Sequence, residues 1–270
     1  MLIVQLSDLH LRDDGAYPRH DPAEALARAF EGIARMRPAP ALILLTGDVI
    51  DRSAAGYGPA CALLRQAPVP LVALSGNHDR AAEFRAALGD RADFAEGHLS
   101  FALPLDGLTV IGLDSNRAGG LPGVDAARLD WLAGVLEGAR GNALLALHHP
   151  PFATGIPRLD GTPFEGAEAL EALVRGSAVT RVIAGHTHRE ITATWAGVTA
   201  STGPALAHGL ALSLVGGAPH AHTPDAPGMH LHQVLPDGRL VTHRVDLDLR
   251  GAPEGFAATL GAEELGRLVY

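Results

Sequence analysis

A set of short polar segments in this sequence carries side chains able to bind a metal ion. They are Asp8-Leu9-His10, Gly47-Asp48-Val49-Ile50-Asp51, Gly76-Asn77-His78-Asp79, His148-His149-Pro150-Pro151 and Gly185-His186-Thr187-His188. Carboxylate, imidazole and amide oxygen together suit Zn, Mn, Fe or Co, and not Ca, which takes oxygen ligands alone. So many groups exceed the coordination of one ion. Two ions about 3.5 to 4 Å apart, sharing one bridging carboxylate, accommodate them. Side chains alternate in extended backbone. On that geometry Asp8 and His10 point the same way, as do His186 and His188, whereas His149 points away from its neighbour His148.

Each segment follows a short apolar run. Residues 2–6, 41–45, 71–74, 108–113, 143–147 and 181–184 read as buried strands. Residues 22–37 read as a helix capped by Asp21, with Pro22 at its first position and Leu26, Phe30 and Ile33 on one face; Pro38 stops it. Residues 57–66, 80–88, 125–138 and 165–176 are further helix candidates. Strand–helix alternation implies α/β layers, and ligands of such sheets bind beyond the carboxyl ends of the strands. After residue 191 the pattern turns to Thr/Val alternation. Residues 231–235 and 240–247 flank Pro236-Asp237-Gly238, a hairpin turn. The C-terminal third therefore reads as a more antiparallel sheet, with a loop over 216–228.

These blocks, in this order and each after an apolar strand, resemble the calcineurin-like metallophosphoesterases from residue 2 to about 190. Within that superfamily, the Leu147-His148-His149-Pro150-Pro151 block is similar to the class III cyclic-nucleotide and glycerophosphodiester phosphodiesterases. The resemblance implies a four-layer α/β/β/α sandwich with a small C-terminal antiparallel extension. It implies a single domain over 1–270, with a core of about 1–200 and C-terminal strands plus a lid or oligomerisation loop over about 201–270. By the same resemblance Asp8, His10, Asp48 and His188 hold one divalent ion (Fe, Mn, Co or Zn). Asn77, His148, His186 and the bridging Asp48 hold a second. His78 approaches the substrate phosphate or leaving oxygen, Asp79 orients His78, and Asp51 lies behind the ligands.

A phosphodiester carries a charge that shields phosphorus, and neutral water is a poor nucleophile. Two cations neutralise the phosphoryl oxygens and lower the pKa of a bound water from about 15.7 towards 7. Direct attack by a metal-bridging hydroxide, with His78 protonating the leaving alkoxide, is the expected mechanism. Arg117 is a candidate phosphate clamp, and Tyr17, His20 and His222 are candidate substrate contacts. His230 and His232 fall on one face of a strand. The Arg35 and Arg37 pair reads as the cationic last turn of a helix.

Composition narrows the partners. The 270 residues carry a formal charge of -9, and all 21 basic residues are Arg. A duplex-binding protein carries a basic face, so no nucleic acid is expected and a nuclease is disfavoured. A phosphomonoesterase remains an alternative, with Arg12 and Arg117 the arginines nearest the motifs; a non-catalytic scaffold conflicts with the filled motifs. A single cysteine, Cys61, allows no internal disulfide. The apolar start at Leu2 leaves no charged leader, and no run reaches the roughly 18 to 20 residues of a membrane span. The expectation is a cytoplasmic enzyme of small phosphodiesters, such as cAMP or glycerophosphodiesters, assembled as a dimer or larger.

Overall fold

The computed structural model describes residues 1–14, 21–217, 221–223 and 225–247. The chain begins β1 (Leu2–Leu6), α1 (Pro22–Arg35), β2 (Leu42–Thr46), α2 (Tyr57–Leu64), β3 (Leu71–Leu74) and α3 (Ala81–Leu88). It continues β4 (Phe101–Leu105), β5 (Leu108–Gly112), α4 (Ala126–Gly138), β6 (Asn142–Ala146), α5 (Pro157–Asp160), α6 (Ala167–Val174) and β7 (Val179–Ala184). The remainder is β8 (Ile191–Trp195), β9 (Val198–Thr202), β10 (Gly209–Leu210), β11 (His222–Thr223), β12 (Gly228–Val234) and β13 (Leu240–Asp246).

One sheet runs β13-β12-β1-β2-β3 and the other β4-β5-β6-β7-β9-β8. Between them lie Ile3, Leu44 and Leu74 from the first sheet and Val110, Leu144 and Ile183 from the second. Helices α1, α2 and α3 cover the outer face of the first sheet, and α4 and α6 that of the second. The architecture is thus four layers, α/β/β/α. Strands buried on both faces read as continuous apolar runs, which is why Leu42–Thr46 and Leu108–Gly112 are buried throughout. The α1 cap forms as its sequence requires: the Asp21 side chain accepts from the N–H groups of Ala23 and Glu24.

The C-terminal third is not a sheet of its own. β9 adds parallel to β7 with β8 antiparallel on its far side, whereas β12 pairs antiparallel with β1 and carries β13 outward. The hairpin turn closes as expected, with Gly238 N–H on Leu235 O and Arg239 O receiving Leu235 N–H. β4 escapes a sequence reading because Pro104 interrupts its pattern; proline is tolerated there because β4 is an edge strand. β1, β2 and β3 run parallel to one another in the first sheet, and β5, β6, β7 and β9 do so in the second. The carboxyl ends of β1, β2, β3, β6 and β7 accordingly deliver the polar segments to one edge. No helix of the described residues is long and apolar enough to cross a membrane.

Candidate metal centre

The chain turns sharply as it leaves each strand. Asp8, His10, Asp48, His186 and His188 all adopt positive φ, between 46° and 69°. Left-handed backbone costs an L-residue roughly 1–2 kcal/mol, and such strain is held in place only by its surroundings. The extended geometry expected for Asp8/His10 and His186/His188 is therefore corrected. Their side chains converge through left-handed turns rather than strand alternation. Close approach is possible because two positions lack side chains. A Cβ on Gly47 would lie 2.2 Å from His148 Nδ1, and one on Gly76 would lie 2.1 Å from Asp48 Oδ1.

Two groups of potential ligands meet at one oxygen. Asp48 Oδ2 lies 3.4 Å from His10 Nε2 and 3.5 Å from His148 Nε2. On the first side, His10 Nε2 and His188 Nε2 are 3.0 Å apart, with Asp8 Oδ1 3.4 Å from His188 Nε2. On the second side, Asn77 Oδ1 is 3.0 Å from both His148 Nε2 and His186 Nδ1. Asp8, His10, Asp48 and His188 form one cluster of potential ligand atoms within 4.8 Å of one another.

The donor set fits cations. His148 Nδ1 donates to Thr46 O at 2.8 Å, and His188 Nδ1 to His208 O at 2.9 Å. Carbonyls accept only, so each ring presents its Nε2 lone pair to the centre, the usual fixing of a ligand tautomer. Lone pairs and carboxylate oxygens thus face one another in a buried site, which a positive charge reconciles. Without an ion, protons serve. Burial lowers the basicity of His148, but Asp48 overrides it and lifts the imidazole to about 9. Burial likewise works against the Asp8 anion, yet His188 holds it near 2. His186, buried and beside His148, falls to about 4.

The loop behind these groups departs from expectation. Asp79 does not orient His78. Its carboxylate accepts from the N–H groups of Gly76 (2.8 Å), Val49 (3.1 Å) and Ile50 (3.3 Å) and from the Tyr57 hydroxyl (3.1 Å). It pins the β2 and β3 loops together, and burial and Asp48 raise it to about 6. The partner of His78 is Asp51, whose Oδ1 is 2.9 Å from His78 Nδ1. The His78 N–H meanwhile donates to Asp48 Oδ1 at 2.8 Å. Arg52, itself at φ 66°, places Nη2 3.2 Å from His78 Nε2. Guanidinium only donates, so His78 Nε2 accepts and Nδ1 carries the proton. The Asp51 and Arg52 contacts were missed in the motif; the acidic residue three after Asp48 was the available signal.

His149 also departs from its expected direction. It is 2% exposed, with ring centroids 4.6 Å from His186 and 4.8 Å from His148. Its Nδ1 lies 3.1 Å from Ser115 O, and burial with two neighbouring imidazoles holds it well below the ordinary histidine value. Arg117 is ion-paired with Glu165, and Arg12 bonds Asp14. His222 packs edge-on against His208 at 4.2 Å, and His208 lies 4.4 Å from His188. It reaches the centre only through that second ring. His230 bonds Glu190 and His232 bonds Gln5 and Thr242, so neither faces the cluster. Tyr17, His20 and His220 lie outside the described residues. A cleft of about 1110 Å³ opens beside Asn77 and His186, walled by Leu121, Pro150, Phe152 and Phe164.

The layers and the site define a phosphoesterase class, and comparison with known proteins places the chain in it. The sequence profile of the calcineurin-like phosphoesterases matches residues 1–190, and the chain belongs to that family. A probable glycerophosphodiester phosphodiesterase of Arcobacter nitrofigilis is 31% identical over 254 residues, covering 90% of this chain and 92% of the relative. A cAMP/cGMP dual specificity phosphodiesterase of Mycobacterium tuberculosis is 31% identical over 269 residues, covering 96% and 81%. Among solved structures, a dimetal phosphatase from Danio rerio superposes with a TM-score of 0.70 at 16% identity, covering 92% of this chain and 96% of that one. That likeness is one of fold.

Proposed function

We propose that this chain is a phosphodiesterase of small diesters that uses two divalent ions. Asp8, His10, Asp48 and His188 would hold one ion, and Asn77, His148, His186 and Asp48 the other. The observation carrying this reading is the single oxygen, Asp48 Oδ2, facing His10 Nε2 on one side and His148 Nε2 on the other. When bound, the ions would neutralise phosphoryl charge and acidify a water nucleophile. The protein supplies the rest. His78 Nδ1 carries its proton towards Asp51 and its Nε2 opens towards Arg52, so Nε2 is the atom that would face the leaving oxygen, and it would pass a proton there from the doubly protonated ring. Arg52 would yield its place to that oxygen. Asp79 keeps the two loops in register.

The cleft favours one kind of diester. Its apolar walls are Leu121, Pro150, Phe152 and Phe164, with Arg52, Arg158 and Asp160 among its polar lining, and the apolar surfaces suit a planar base. A cationic choline or ethanolamine headgroup would want an aromatic cage or a free carboxylate. Asp160 in that cleft is engaged by Thr154 and Gly155. The names of the relatives support both cyclic nucleotides and glycerophosphodiesters; the walls favour the former. A monoesterase is the second reading, on the one observation that Arg52 lies beside His78 and could meet a second phosphate charge.

The test is a turnover panel on Mn- or Co-reconstituted protein. It sets bis(p-nitrophenyl) phosphate against p-nitrophenyl phosphate, then 3′,5′-cyclic AMP against glycerophosphocholine and glycerophosphoethanolamine. Preference for diester over monoester, and for the cyclic nucleotide, is expected. Absence of diester turnover sinks the reading.

A further inference from the structure

Asp8 has none of its surface exposed, and its Oδ2 accepts from the Ser7 hydroxyl at 2.5 Å. Ser7 Oγ accepts in turn from the Thr46 hydroxyl at 2.8 Å. Thr46 Oγ1 accepts from Gln5 Nε2 at 3.0 Å, and Gln5 Oε1 lies 3.1 Å from His232 Nε2. His232 Nδ1 meets the Thr242 hydroxyl at 2.9 Å. The chemistry of the groups fixes every proton in this series. A carboxylate accepts only, so Ser7 donates. The amide oxygen of Gln5 accepts only, so His232 carries its proton on Nε2 and accepts from Thr242 at Nδ1. All links therefore run one way, from the edge strand β13 through β12, β1 and β2 to the anion.

Gln5, Ser7, Thr46 and His232 are each no more than 1% exposed. Gln5 Nε2 also donates to Ala184 O at 2.8 Å, at the end of β7 in the opposite sheet. In such an interior, aligned hydrogen bonds polarise one another, and the last, charge-assisted link is the strongest. A polar series this long in an otherwise apolar sheet is a costly way merely to fill space. Its terminus is informative: it ends on Oδ2 of Asp8, while Oδ1 faces His188 and the His186 N–H donates to both oxygens at 3.1 Å.

We propose that Ser7, Thr46 and Gln5 are positioning residues. This one-way series fixes the rotation of the Asp8 carboxylate and thereby sets how tightly the first ion is held. The proposal rests on the two-ion reading above. It assigns the buried polar residues of β1 and β2 a role that the ligand motifs do not reveal, and it ties the C-terminal hairpin to the centre.

Titration of metal-free protein with Co(II), followed by visible absorption and calorimetry, tests this. The Asn77→Ala variant identifies which binding step belongs to the second group. Ser7→Ala is expected to weaken the other step by about 10- to 100-fold and to shift its Co(II) spectrum, leaving the Asn77 step within about threefold. Thr46→Val should weaken the same step by a smaller factor, and Thr46→Ser, which keeps the hydroxyl, should restore it. A role in packing alone would lower thermal stability without separating the two steps. Wild-type affinity at both steps in Ser7→Ala and Thr46→Val, or equal weakening of both, overturns the proposal. Should Ser7→Ala fail to fold, the Thr46 pair decides. A wild-type chain that takes up fewer than two ions overturns the two-ion reading itself, and this proposal with it.

Discussion

The two halves of the centre are built from different materials. The first has Asp8, His10 and His188 around Asp48: a second carboxylate, full burial of Asp8, and a polar series running back through a sheet. The second has a neutral amide and two imidazoles around the same Asp48, and it borders the open cleft at Asn77 and His186. Anionic ligands held in a dry frame bind a dication more strongly than neutral ligands at a solvent edge. The difference teaches a division of labour. On the two-ion proposal, the buried half would serve retention, and the cleft half exchange and contact with substrate.

The sharpest way to break this contrast is to remove what the halves share. Asp48→Asn should abolish stoichiometric uptake of both ions and lower diester turnover by at least about a thousandfold, or about 4 kcal/mol. Elemental analysis beside kinetics checks it; retention of either ion would mean the halves are independent. Next in size is His78→Ala, which should cut turnover by about 10²- to 10⁴-fold while metal content stays at wild type. Asn77→Ala, by contrast, should lower metal occupancy to about one ion per chain. Equal metal loss in both variants would remove the distinction between ligand and proton donor.

A chelator supplies the third test. Brief exposure should strip the second group first, leaving about one retained ion by elemental analysis; the reverse order would invert the comparison. Smaller effects separate Asp51 from Asp79. Asp51→Asn should reduce turnover roughly tenfold and shift its pH profile with little change in melting temperature. Asp79→Asn should instead cost about 1–3 kcal/mol of stability, as loss of a buried multi-bond acceptor does.

The smallest effect concerns acid. Burial, reinforced by His230 and Arg181, lowers His232 to about 3, against about 6.5 in an unfolded chain. Between those values the unfolded chain binds a proton and the folded chain does not, so stability falls as pH drops below 6.5 and is flat above it. From pH 7 to 5.5 this one group should account for about 1 kcal/mol. Denaturant unfolding of metal-free protein at both pH values measures it, with His232→Gln expected to lose that share of the difference.

Much of this was legible in the residues themselves. The apolar runs before each polar segment located the strands to within a residue or two, because strands buried on both faces announce themselves by composition. The ligand types and their order pointed to a metal centre for the same reason. What escaped was the backbone between them. Alternation assumes extended chain, and the positive φ values of Asp8, His10, His186 and His188 are a response to crowding from other loops, which no local pattern contains. The same crowding turned His149 inward and gave His78 to Asp51 instead of its neighbour Asp79. The polar series behind Asp8 was hidden because Gln5, Thr46 and His232 are far apart in the chain and meet only across strand pairings.

The two glycines at the centre carry a consequence for reading genomes. Gly47 and Gly76 are the spaces into which His148 and Asp48 fit. A relative that kept every metal-binding side chain but carried alanine at either position would pass any inspection of its ligands. Alanine at position 47 would keep the β2 loop from closing on His148 of the other sheet, and alanine at position 76 would keep the β3 loop from closing on Asp48. Loss of function in such a lineage would begin at a methyl group, in a residue with no chemistry of its own.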